Sequence, residues 1–172
     1  MDLSRKPAER LHEYYGVGRR AVLIIGMQKF LLYGADQNEL REVIERQKEL
    51  IGFCNAVGVP IIRIKDAAIE GVEEDIYEPL PEIEEALSRV KNVQRFTKKP
   101  GNWDAFRLGN FEHEVERKKY KHLFITGAYA GRDVAETAGH SLAYKSHISS
   151  SKDMLIHNLR DSREQTDTRL ND

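Results

Sequence analysis

The chain carries one cysteine, one tryptophan and five prolines in 172 residues, and none of its apolar runs approaches membrane-spanning length. A lone cysteine excludes an internal disulfide. An excess of charge is missing too, since 27 Lys and Arg stand against 28 Asp and Glu. With no net field of either sign, neither nucleic acid nor an acidic membrane surface is an expected partner. The Met1-Asp-Leu-Ser-Arg-Lys start lacks the apolar core of a signal peptide. These absences predict a soluble, cytoplasmic chain. What is present, 40% hydrophobic and 32% charged residues, suits one globular domain spanning 1–172 and burying about 70% of its unfolded surface.

The stretch from His122 to Tyr144 organises the rest. A short β-rich apolar run ends in Thr126-Gly127, and a helical pattern follows with Val134, Ala138 and Leu142 near one face. Strand, tight turn and helix in that order aim a helix N-terminus at the crevice beyond the strand ends, where an anion or a nucleophile is favoured.

Elsewhere the pattern alternates strand with helix. Ser4 and Pro7 open a leading helix that Gly16 and Gly18 end. Ala21-Val-Leu-Ile-Ile25 is apolar without alternation, as a central parallel strand covered on both faces should be. Leu40, Val43, Ile44, Gln47, Ile51 and Cys54 mark a long amphipathic helix from Asn38 to Val57, stopped by Gly58. Val59 to Ile64 reads as the second strand, and the acidic Glu70 to Glu85 stretch as a loop leading into a helix around Ile83, Ala86 and Leu87. Asn92 to Thr97 is a weaker strand, Lys98 to Asp104 a turn, and Leu108 to Lys119 a helix. Lys145 to Ser150 suggests an edge strand and Lys152 to Arg160 a short helix. The core thus runs over about 19–150, and the polar tail 161–172 has no apolar period. The order argues an α/β fold, an open parallel sheet of five to six strands with helices on both faces.

Four segments also resemble, in order, the isochorismatase-like cysteine hydrolases. Ala21-Val-Leu-Ile-Ile-Gly-Met-Gln-Lys-Phe30 is similar to that family's first strand and loop, in which Asp-Met-Gln follows the apolar run. Gly58-Val-Pro-Ile-Ile-Arg63 looks like its second strand. Lys99-Pro-Gly-Asn-Trp-Asp-Ala-Phe106 is similar to its lysine loop, and Phe124-Ile-Thr-Gly-Ala-Tyr-Ala-Gly-Arg-Asp-Val134 to its nucleophile turn, where Cys-Val opens the helix. The resemblance implies a Rossmann-like three-layer fold, self-association into a homo-oligomer, and a cis peptide at Ala128-Tyr129.

It also implies a chemistry, carried by an Asp that takes the thiol proton, a Lys that polarises the reacting group and a Cys that attacks. Here the Asp position is Gly26 and the Cys position is Asp133. The lysine persists as Lys99, or as Lys98, because the loop is one residue longer than the family pattern. Cys54, in step with Ile51, is read as core packing and not as a displaced nucleophile. Where metal-assisted relatives have Asp-x-His, this chain has Asp66-Ala67-Ala68, so neither a metal nor any other cofactor is expected.

Asp133 divides the readings. It is either a carboxylate capping the helix N-terminus or a nucleophile or base beside Lys99. His140, two helical turns on at about 10 Å, is too distant to assist it directly. Trp103 and Phe106 either line a pocket or pack; Tyr129 and Arg132 lie in the turn, where Arg132 would grip a carboxylate in bidentate fashion or face solvent. Three functions follow. The first is a non-catalytic ligand-binding or assembly protein, taking a small carboxylate or amide near Gly26, Lys99, Trp103 and Asp133. The second is a hydrolase of amide, carbamoyl or enol-ether substrates with rearranged chemistry on Asp133 and Lys99. The third is an unrelated flavodoxin-like binding module.

Overall fold

The computed structural model describes residues 19–157. The expected leading helix and polar tail lie outside them. Six parallel strands form one sheet: β1 (Arg20–Ile25), β2 (Ile61–Asp66), β3 (Val93–Lys98), β4 (His122–Ala128), β5 (His147–Ser149) and β6 (Leu155–Ile156). Their order is β3-β2-β1-β4-β5, with β6 also on β4. β5 pairs the first part of β4 and β6 its end, so the two act as one interrupted edge strand.

The helices are α1 (Gln37–Val57), α2 (Pro81–Ser88), α3 (Gly109–Lys118) and α4 (Ala135–Ser141). Asp36 starts α1 by accepting hydrogen bonds from the Asn38 and Glu39 amides, both at 2.9 Å, and Gly58 ends it at φ +77°. The apolar run of β1 then divides by its pleat. Val22 and Ile24 pack with Val43, Ile51 and Cys54 of α1 and Ile83 and Leu87 of α2. Ala21, Leu23 and Ile25 pack with Phe111 and Val115 of α3. Helices therefore cover both faces, which is why this strand shows no alternation.

Two local expectations are corrected. The short helix expected from Lys152 is a single 3-10 turn, Lys152–Met154, after which the chain returns to the sheet as β6. The face through Val134, Ala138 and Leu142 is also broken. A π-turn spans Ala130–Val134 before α4, and Leu142 lies in a 3-10 turn at 66% exposure. A 3-10 turn has three residues per turn, so a spacing of four counted into it carries Leu142 off the buried face.

Candidate functional site

From β1 the chain builds outward to β2 and β3 on one side and then returns to β4 on the other. That reversal opens a crevice at the carboxyl ends of β1 and β4, where ligands bind in open α/β sheets. Three ionisable side chains meet there, from the ends of successive strands: Asp66 of β2, Lys98 of β3 and Asp133 in the turn after β4. Asp66 and Lys98 are cross-strand partners with Nζ 3.3 Å from Oδ1. Lys98 Nζ also contacts Asp133 Oδ1, and neither Lys98 nor Asp133 has exposed surface.

Lys98, not Lys99, is the lysine that the structure brings to Asp133; Lys99 is exposed. A signal for this was available in the strand period, because Phe96 packs into the core and residues two apart share a face. The one-residue longer loop follows from the same register. Asp66 was not expected as a partner at all.

Asp133 does not cap a helix. Neither of its oxygens accepts a backbone N–H, so the ion pair with Lys98 is its main interaction. The Oδ2 atoms of both Asp66 and Asp133 are buried without a hydrogen-bond partner. Burial pulls the Lys98 pKa below the ordinary lysine value, opposed by Asp66 and then Asp104. Burial raises Asp66, opposed by Lys98 and more weakly by Arg63.

Gly26, which the resemblance aligns with a proton acceptor, offers no side chain and little room for one. Gly26 sits at φ +69°, and a Cβ built there would lie 2.8 Å from Leu31 Cδ1 and 3.3 Å from the Ala128 carbonyl. Its N–H is already used, donating to the Ile64 carbonyl at 3.0 Å. The following Gln28 is fully buried, accepts from Asp66 N at 2.7 Å and donates to Asp66 O at 3.0 Å. This residue clamps the end of β2 and so positions Asp66.

Trp103, Tyr129 and Arg132 come together on the solvent side. Trp103 packs edge-on against Tyr129 at 5.8 Å, and the Arg132 guanidinium lies 4.1 Å over the indole. Phe106 does not join them. It is buried in the core, stacked on Tyr144 at 4.6 Å. All described peptides are trans, so Ala128-Tyr129 is not cis; Tyr129 makes the turn by adopting φ +60°. Cys54 is buried on α1 with its thiol pushed up to about 11 by desolvation, which leaves almost no thiolate near neutral pH.

A scan of protein-family models finds no match for this chain, and no curated protein matches it. Solved structures do. The MAR1 ribonuclease of Caenorhabditis elegans superposes with a TM-score of 0.73 at 14% identity, over 90% of this chain and 73% of that one. An isochorismatase from Pseudomonas putida gives 0.69 at 16%, over 84% and 78%. The Escherichia coli YcaC product, described as an octameric hydrolase of unknown specificity, gives 0.70 at 18%, over 90% and 72%. The chain has the isochorismatase-like fold. At such identities the likeness leaves its activity open.

Proposed function

We propose that this chain is a non-catalytic protein that keeps the isochorismatase-like fold as a ligand-binding or assembly scaffold. One observation carries the reading: the residue at the sulfur's position, Asp133, is without exposed surface and locked to an equally buried Lys98. A nucleophile must reach its substrate, and a carboxylate neutralised by an ammonium is a weak one. Gly26 supplies no base to strengthen it, and Cys54 lies in the core under α1. Self-association, which the resemblance implies and the octameric E. coli relative supports, belongs to the same reading. The rearranged hydrolase remains the second reading, favoured by the unpartnered Oδ2 of Asp133.

The ligand we assign is a small carboxylate, held at Arg132. The guanidinium rests on Trp103, which orients its two-pronged edge before a ligand arrives. No helix among the described residues is long and apolar enough to cross a membrane. Trp103 is the only tryptophan, so its fluorescence reports this cluster alone. Titration with small carboxylates, acetamide serving as the neutral comparison, should give a saturable change that Arg132→Gln weakens about tenfold or more. An unchanged spectrum, or equal affinity in the variant, would remove Arg132 from the site.

A further inference from the structure

The opposite end of the sheet carries a charge arrangement that does not depend on the sealed pair or on the reading above. Arg20 opens β1, His122 opens β4 and His147 opens β5, at the far end of the strands from the crevice. The register pairs Arg20 with His122 and His122 with His147, so the three form one row across neighbouring strands about 4.8 Å apart. They share a face. Val22 and Phe124 pack on the α1 side of the sheet, and Arg20 and His122 each precede one of them by two residues. All three are exposed, and the two imidazoles stack with centroids at 5.1 Å and planes at 23°.

This row lacks an acid. His140 has Asp104 bonded to its Nδ1, whereas among the described residues Arg20, His122 and His147 have no carboxylate partner. Burial, His147 and Arg20, in that order, hold the His122 pKa below the ordinary histidine value, and no acid opposes them. Lys121, directly before His122, and Lys145, two residues before His147, are exposed and likewise form no ion pair among the described residues. Like charges opposite each other on a sheet are destabilising. The balanced total charge of the chain therefore conceals a local positive surplus that an anion would relieve.

We infer that Arg20, His122 and His147 form a binding site for an oxyanion of the phosphate class, carried by a soluble ligand or by a lipid headgroup. A guanidinium gives two parallel N–H groups to such an oxyanion, and each protonated imidazole adds a charge-assisted one. Binding draws protons onto the rings, because an anion beside them favours the charged form that Arg20 and the neighbouring ring otherwise oppose. A metal cation does not suit the place, since the guanidinium beside the rings repels it.

Proton NMR of the full chain tests the site, following the histidine ring C–H signals during titration with sodium phosphate against sodium chloride of equal ionic strength. Saturable shifts are expected at His122 and His147 and not at His113, with His122 titrating at higher pH when phosphate is bound. Arg20→Gln should weaken binding about tenfold, and His122→Gln, the second variant, should weaken it too, with circular dichroism confirming that each is folded. Sulfate, whose charge is constant near neutral pH, should bind more tightly as the pH falls through the imidazole range of about 6.5. Glycerol phosphate and phosphatidylcholine vesicles containing phosphatidic acid separate the two sources: retention on the vesicles that Arg20→Gln abolishes assigns a headgroup, and binding of glycerol phosphate alone assigns a soluble ligand. Shifts spread evenly over all the histidines, absence of saturation, or affinity unchanged in both variants would each overturn the proposal.

Discussion

Replacing Lys98 by methionine should cost the fold about 3–5 kcal/mol at neutral pH, read as a lowered midpoint in urea. The substitution leaves Asp66 and Asp133 buried beside each other without their ammonium. Asp133→Leu should cost less, because Lys98 then still has Asp66 at 3.3 Å. The double variant, Lys98→Met with Asp133→Leu, should recover only part of that loss, since the Lys98–Asp133 pair is then exchanged for apolar groups while Asp66 stays buried without its ammonium. The pH dependence has a definite sign. In Lys98→Met the carboxyls sit above their unfolded value of about 3.9, so they hold protons more tightly folded than unfolded. The stability they contribute is present below about pH 4 and is lost as pH rises through their folded values. The penalty therefore shrinks in acid. Strictly additive effects of the two substitutions would contradict a mutually dependent pair.

Gly127→Ala should fail to fold, or lose more than about 4 kcal/mol. Gly127 is paired with Ile25 across β1 and β4 at φ +147°, and a Cβ there would lie 2.0 Å from the Ile25 carbonyl oxygen. Backbone, unlike the end of a flexible side chain, cannot step aside without breaking the ladder that places Asp133. Gly139→Ala supplies the internal comparison. It sits in α4 with open space around it and should gain about 0.5–1 kcal/mol from helix propensity. Thermal melts of the two variants check both, and a stable Gly127→Ala chain with parent-like unfolding would refute this geometry.

Much of this molecule was legible in its sequence, and the limits have physical causes. The central strand Ala21 to Ile25 and the α1 stripe were readable because burial on both faces leaves an unbroken apolar run and burial on one face leaves a helical period. Gln47 sits on that stripe as a polar exception, and the structure accounts for it: its amide donates to Thr126 Oγ1 at 2.8 Å, joining α1 to β4. The pairing of Asp66 with Lys98 was not legible, since it is set by strand register and not by local pattern. Likewise Asp104 and His140 are 36 residues apart and meet only because α4 lies along the lysine loop. Arg63 is a further case, 2% exposed in β2 with Nε 3.0 Å from Glu84 of α2. Apolar periodicity says nothing about such cross-layer ion pairs.

The central claim is that an acid locked to Lys98 has taken the sulfur's place and that hydrolysis has gone with it. Incubation of the purified chain with amide, carbamoyl and enol-ether substrates is the most direct measurement of it. The account predicts no product above the buffer control, in the parent and in Asp133→Ala alike. Turnover by the parent that Asp133→Ala abolishes, with the variant's circular dichroism unchanged, would contradict it.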